Sequence, residues 1–214
     1  MIITCEVGPF PTNAYFYIDD ETQHGFLIDP GYEAEKLLYL IDKRQWTIEK
    51  ILLTHGHFDH ISAVNDLQSK LKIPVYIHKN GRDYVKDAKM NGSIIFFGLP
   101  VVIDGEVNYI DDNSEIVLST NKDFKLKLIA VPGHTTDGAI YYSQCDNAAF
   151  VGDSIFHKSI GRTDLPGGNY ETLINSIKQK IFTLPNETIL LSGHSEPTTV
   201  EDEKFRPWFN YSVN

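Results

Sequence analysis

The sequence predicts two β-sheets packed together with helices outside, and three observations lead there. Strand-like runs occur in both halves of the chain, at residues 2–7, 14–18 and 25–28 and again at 124–131, 138–143 and 148–152. Helical spacing of apolar residues appears at 33–42, 61–71 and 170–182. Strand and helix therefore alternate twice over with β-rich stretches on either side, a pattern of two packed sheets and not of one doubly wound sheet.

Each element has its own local reason. The first three strands are broken by Gly8-Pro9-Phe10-Pro11 and by Asp19-Asp20, residues that end strands. Asp29-Pro30-Gly31 is a turn signal, and residues 33–42 then place Leu37, Leu38 and Ile41 on one helical face. The apolar run 50–53 is long enough only for a buried strand, and it ends in Thr54-His55-Gly56-His57-Phe58-Asp59-His60. A second helix is expected over 61–71 and a strand over 74–78. Residues 79–124 read less clearly: a short helix near 82–88, an apolar stretch at 94–102 and several turn residues. Three strands follow, then a helix over 170–182 carried by Leu173, Ile177 and Ile181, and a last buried strand at 189–191. No Pro/Ser-rich linker interrupts this order, so one domain over 1–214 is expected.

A chain of 214 residues suffices for one well-buried core. The net charge of −10 argues against nucleic acid as a partner, which demands a basic surface; acidity here can serve solubility alone. The two cysteines, Cys5 and Cys145, lie in apolar or strand-like surroundings where free cysteine is commonly buried, and no CxxC pattern is present. A reducing compartment fits. The first twenty residues lack the basic and apolar regions of a signal peptide, and no apolar run reaches the ~18 residues of a membrane span. A cytoplasmic protein is expected, a monomer or homodimer acting on a small molecule and not at a membrane.

The chemistry concentrates at His55, His57, Asp59 and His60. Leaving a strand, residues two apart point to one side, so His55 and His57 can share one ion while Asp59 and His60 address a neighbouring one. Three imidazoles and a carboxylate form a mixed N/O donor set suited to zinc, iron or manganese. Three later segments repeat one arrangement of apolar strand, small or turn residue and donor: 128–131 before Pro132-Gly133-His134, 148–151 before Gly152-Asp153, and 189–191 before Ser192-Gly193-His194. Glycine lets the backbone bend so that the next side chain leaves the strand end. The donors total seven, enough for two ions.

The HxHxDH cluster at 55–60, PGHT at 132–135, GDSIF at 152–156 and the late SGH at 192–194 resemble the metallo-β-lactamase superfamily. The segment 161–168, GRTDLPGG, resembles its glyoxalase II-like branch, the hydroxyacylglutathione hydrolases. The resemblance implies an α+β fold, the four-layer αββα sandwich. It implies two divalent ions, zinc first with iron or manganese accepted: His55, His57 and His134 on one, Asp59, His60 and His194 on the other, Asp153 between them. A bridging hydroxide would be the nucleophile, with Asp59 and Asp153 as catalytic carboxylates and Asp59 orienting the hydroxide. The implied activity is hydrolysis of a small acyl-thiol ester, lactoylglutathione foremost. The alternatives are a persulfide dioxygenase holding one iron through His55, His134 and Asp153, or another hydrolase of the superfamily such as a lactonase. The chain departs from the branch in three places. Only about twenty residues follow His194, where full-length glyoxalase II has a helical domain, so the single-domain relatives are nearer. Ser195-Glu196 stand where relatives have Gly-Pro, and Glu196 sets a further carboxylate beside the site. Arg206-Pro207 stands in place of a terminal Asn-Pro pair.

Secondary candidates read more plainly. Arg162 and Asp164 are expected to pair and hold their loop, and His157 to be a solvated loop histidine. His24 and His78 lack ligand-like context. Asn13 and Tyr15 match the superfamily's N-terminal pattern, where such residues brace the sheet under the site. Tyr170 is expected to cap a helix start, while Phe96, Phe97 and Tyr109 form either a pocket wall or core.

Overall fold

A computed structural model describes residues 1–206, so Pro207 lies outside the described residues. The chain runs β1 (Ile2–Val7), β2 (Thr12–Ile18), β3 (His24–Ile28), α1 (Ala34–Arg44), β4 (Thr47–Leu53), α2 (Phe58–Ile61), α3 (Val64–Leu71) and β5 (Val75–His78). Then come α4 (Arg82–Lys86), α5 (Ser93–Phe96), β6 (Val107–Ile110), β7 (Glu115–Val117), β8 (Lys125–Ala130), β9 (Ala139–Ser143) and β10 (Ala148–Gly152). The last part holds β11 (Ile155–Phe156), β12 (Ser159–Ile160), α6 (Tyr170–Ser176), β13 (Ile189–Ser192), β14 (Thr198–Thr199) and α7 (Val200–Lys204). One sheet has the order β1-β2-β3-β4-β5-β6 and the other β14-β13-β10-β9-β8-β7, with β11 and β12 as a separate hairpin.

Strand alternation sorts side chains into layers. From β2, Ala14, Phe16 and Ile18 face outward onto Leu37 and Ile41 of α1 and Val64 and Leu67 of α3. Tyr15 and Tyr17, one residue out of phase, join Phe26, Leu52, Tyr141 and Phe150 between the sheets. Ala149 and Val151 of β10 face the other way, onto Leu173, Ile177 and Ile181. Because both faces of the central strands are covered, they read as nearly continuous apolar runs. This is the αββα sandwich, with α1 and α3 outside one sheet and α6 outside the other. Among the described residues no helix is long and apolar enough to cross a membrane.

Four sequence expectations shift. The helix over 61–71 is two helices, because Ala63 N–H turns to the carbonyl of Pro30 (3.1 Å) and Ser62 Oγ bonds the Phe58 carbonyl (2.5 Å). Asp59 and His60 consequently sit in the separate turn α2 directly behind β4. The helix over 170–182 starts at Asn169, whose side chain accepts from Thr172 N–H (2.8 Å), but its last turn, Ile177–Ile181, is a wider π turn. The apolar stretch 94–102 forms no strand: only α5 forms there, Ile94, Ile95, Phe96, Phe97 and Leu99 are exposed, and Val101 packs against the core. Cys5 is buried as expected, whereas Cys145 is exposed. It sits in the β9–β10 turn, where the positive φ of Asn147 reverses the chain and leaves the turn's side chains in solvent.

Candidate metal centre

The donors arise where strands end on one edge of the sandwich. β10 pairs in parallel with β13, and β8 runs the same way because two antiparallel steps through β9 separate it from β10. Their C-terminal ends deliver His134, Asp153 and His194, while β4 delivers His55 and the turn α2. Glycine is required at three of these exits: at Gly133, with φ 131°, a Cβ would lie 2.2 Å from the Leu173 backbone nitrogen. Gly152 has φ 49°, and a Cβ at Gly193 would lie 2.3 Å from Asp153 Oδ1 and 2.6 Å from the His60 ring.

All seven expected donors converge. His55, His57 and His134 bring ligand atoms within 4.8 Å of one another, as do His55, His60 and Asp153, and Asp59, His60 and His194. His134 Nε2 lies 2.9 Å from His57 Nδ1, and His60 Nε2 lies 3.3 Å from His194 Nε2. Asp153 stands between these groups, with one oxygen 3.4 Å from His60 Nε2 and the other 3.6 Å from His134 Nε2 and 3.4 Å from His194 Nε2. Asp59 Oδ2 is 3.2 Å from His194 Nε2. Buried polar atoms are normally hydrogen-bonded. His55 Nε2, His57 Nε2 and Asp153 Oδ1 are buried with no hydrogen bond, the condition of groups shaped for a cation.

The outer nitrogens are held by the protein. His134 Nδ1 meets the Arg162 carbonyl at 2.7 Å and His194 Nδ1 the Pro11 carbonyl at 2.6 Å, so each donates outward and turns its Nε2 inward. His60 Nδ1 lies 3.0 Å from Asp29 Oδ2, and Asp29 also accepts from Thr54 N–H (2.8 Å) and Thr54 Oγ1–H (2.6 Å). Thr54 Oγ1 in turn meets His55 Nδ1 at 3.1 Å. Asp29 thus orients two donors at once. Its sequence context, Asp29-Pro30-Gly31, reads only as a turn, and its positive φ (49°) is invisible without the structure.

Charge divides the site. Burial, reinforced by neighbouring imidazoles, drives His55 well below its usual pKa and His57 down to about 3, and burial lowers His134 also. All three are neutral, the form that binds metal. His60 and His194 go the other way: burial opposes their charge, but Asp153 outweighs it, helped by Asp29 at His60, and His194 rises to about 10. Burial works against the Asp153 and Asp59 carboxylates, yet these same histidines pull both below the usual range.

Asp137 lies under the site, fully buried, with no well-formed hydrogen bond to either oxygen. Burial pushes its pKa to about 7, against the pull of Thr135 and the Gly56 N–H that face it. A folded pKa above the unfolded ~3.9 means the stability this group permits is present in acid and lost as pH rises through 7. In chelator-treated protein, Asp137→Asn should melt on the order of 5 °C above wild type at pH 8, the gap closing toward pH 4.5. An equal gap at both pH values in thermal melts would show that Asp137 is not the titrating group.

Other candidates sort plainly. Asn13 Nδ2 bonds the carbonyls of Ser192 and Ser195 (3.0 Å each) and Tyr15 OH bonds Ser192 O (2.7 Å), so β2 grips the His194 loop from the opposite sheet. Arg162 and Asp164 form the expected ion pair, at 2.7 and 2.8 Å. His157 is not a free loop histidine: it pairs with Glu196. His24 pairs with Glu49, and His78 caps the turn Lys79–Gly81. Phe96 lines a cavity of about 570 Å³ above the donors, Phe97 packs on Phe58, and Tyr109 lies under Arg82 away from it. Tyr170 is exposed and follows Asn169, which does the capping.

Residues 7–194 match the family model of the metallo-beta-lactamase superfamily. The chain belongs to that superfamily. It is 40% identical over 198 residues to the probable metallo-hydrolase YqgX of Bacillus subtilis, covering 92% of each chain. To the hydroxyacylglutathione hydrolase GloC of Haemophilus influenzae it is 34% identical over 198 residues, again 92% of each. Its fold superposes on the crystal structure of BLEG-1, a B3 metallo-beta-lactamase, with a TM-score of 0.92 and 37% identity, covering 99% of this chain and 100% of that one. The superfamily's metal dependence and the clustered histidines and aspartates agree.

Proposed function

We propose that the chain is a metal-dependent thioesterase acting on a small acyl-thiol ester at this centre. The observation that carries it is seven convergent donors, several buried and unpaired, at the foot of a cavity of substrate size. His55, His57 and His134 would hold one ion and Asp59, His60 and His194 a second, with Asp153 shared. Bound there, the ions would acidify a water towards neutral pH and polarise the ester carbonyl. The protein's own part is positioning. The Arg162 and Pro11 carbonyls fix the tautomers of His134 and His194, and Asp59, which lines the cavity, is placed to accept a proton of the attacking water. No serine or cysteine nucleophile is needed. The likeness to GloC and the GRTDLPGG segment favour a thioester.

The likeness to BLEG-1 favours a second reading, hydrolysis of a β-lactam by the same attack on an acyl carbon. One experiment separates them. Protein loaded with zinc or iron is assayed against lactoylglutathione, other acyl-thiol esters, a chromogenic cephalosporin and glutathione persulfide. Thioester cleavage with about two ions per chain is expected. Cephalosporin turnover with no thioester cleavage selects the second reading, and sulfite release with one iron bound would replace both with persulfide oxidation.

A further inference from the structure

The walls of the cavity differ in chemistry from its floor. One wall is an aromatic cluster seeded inside the donor run itself. Phe58, between His57 and Asp59, packs edge-on to Phe10 (5.5 Å between centroids) and stacks on Phe96 (6.1 Å, planes 12° apart). The facing wall is Phe156, Ile160 and Leu165, with Phe156 edge-on to His194 (6.2 Å). Beside Phe96 in the chain, Ile95, Phe97 and Leu99 are exposed, and Phe97 packs on Phe58 (6.3 Å between centroids), so apolar surface adjoins the cavity on this side. Contiguous exposed apolar surface on a soluble protein marks a binding region.

Charge on these walls is scarce. Arg162 is the only lysine or arginine lining the cavity among the described residues. Both carboxylate oxygens of Asp164 occupy its guanidinium, which also lies 5.4 Å above the Phe96 ring. Glu196 adds exposed negative charge on the loop after His194. A glutathione ester brings two carboxylates and one ammonium, and the cavity has no uncommitted cation to receive them. Volume does not decide the matter, since about 570 Å³ suits either kind of molecule.

We infer that the substrate is an acyl ester of a thiol with no net negative charge, carrying an apolar acyl arm that lies against the phenylalanine cluster. This rests on the thioester reading and narrows it. The carbonyl sits over the donors, water adds to it, the C–S bond breaks, and the thiolate leaves and takes up a proton, giving a carboxylic acid and a free thiol.

The test uses the metal-loaded wild-type protein and matched acetyl, butanoyl, hexanoyl and octanoyl esters of N-acetylcysteamine, a neutral thiol, and of glutathione. On the neutral thiol kcat/KM should rise about three- to fourfold per added methylene until the cavity is filled, and each glutathione ester should be at least tenfold slower than its neutral counterpart. Phe96→Ala, at a partly exposed site on a one-turn helix, should flatten the chain-length dependence. A flat series together with a preference for glutathione overturns this inference and leaves the thioester reading standing. Failure to cleave any thioester by protein that still hydrolyses a lactone or β-lactam overturns both.

Discussion

Asp153→Ala is expected to lose bound metal and to lower turnover at least roughly a thousandfold while the sandwich stays folded. Asp153 stands within 3.6 Å of His60, His134 and His194, so its two oxygens face both halves of the centre. It leaves from a strand end and contributes little to any of the three apolar layers, so its loss should spare the fold. His57→Ala is the companion variant. Its imidazole is neutral and buried, and removing it deletes a donor from the other group without leaving an unpaired charge. Metal content by mass spectrometry, activity and circular dichroism are measured together. Either variant retaining full activity with metal bound would end the assignment of these donors.

Asp29→Ala should show the second largest effect, although Asp29 faces no substrate. Three hydrogen bonds end on this buried carboxylate, from Thr54 N–H, Thr54 Oγ1 and His60 Nδ1. Removing it leaves buried donors unpaired and frees the Thr54 hydroxyl, so a stability loss of about 3–5 kcal/mol is expected. Metal affinity should fall about 10- to 100-fold, as for other residues that orient ligands from behind. Titration of the chelated variant with zinc, alongside urea unfolding, separates the two effects. Unchanged zinc affinity with lowered stability would reduce Asp29 to a fold-supporting residue.

The apolar runs of β2 and β10 are legible in the sequence because each is buried on both faces and admits little else, while β8 shows in the alternation of exposed Lys125 and Lys127 with buried Leu126 and Leu128. The donors are legible for a related reason: His55, His134, Asp153 and His194 follow strands by way of small or turn residues that the backbone needs there. Asp29 was hidden because its role depends on a left-handed backbone and on partners 25 and 31 residues away. The short strands β6 and β7 lie among turn residues, with too few positions for period-two alternation to show. The stretch 94–102 misleads in the other direction, since Phe96 faces the cavity and Ile94, Ile95, Phe97 and Leu99 are exposed to solvent, with Val101 packed on the core. His157 reads as solvated from the sequence because its partner Glu196 is 39 residues away.

The grip of β2 on the His194 loop bears on how the protein is made. Asn13 and Ser192 are 179 residues apart in the chain, and Tyr15 reaches the same carbonyl across 177. A ribosome emits the N-terminal strands well before Ser192 and His194, at about 5–20 residues per second. Until then the carbonyl that Asn13 and Tyr15 hold does not exist, and the second group of donors lacks a member. The full donor set therefore assembles only after both halves of the chain have been translated and have docked.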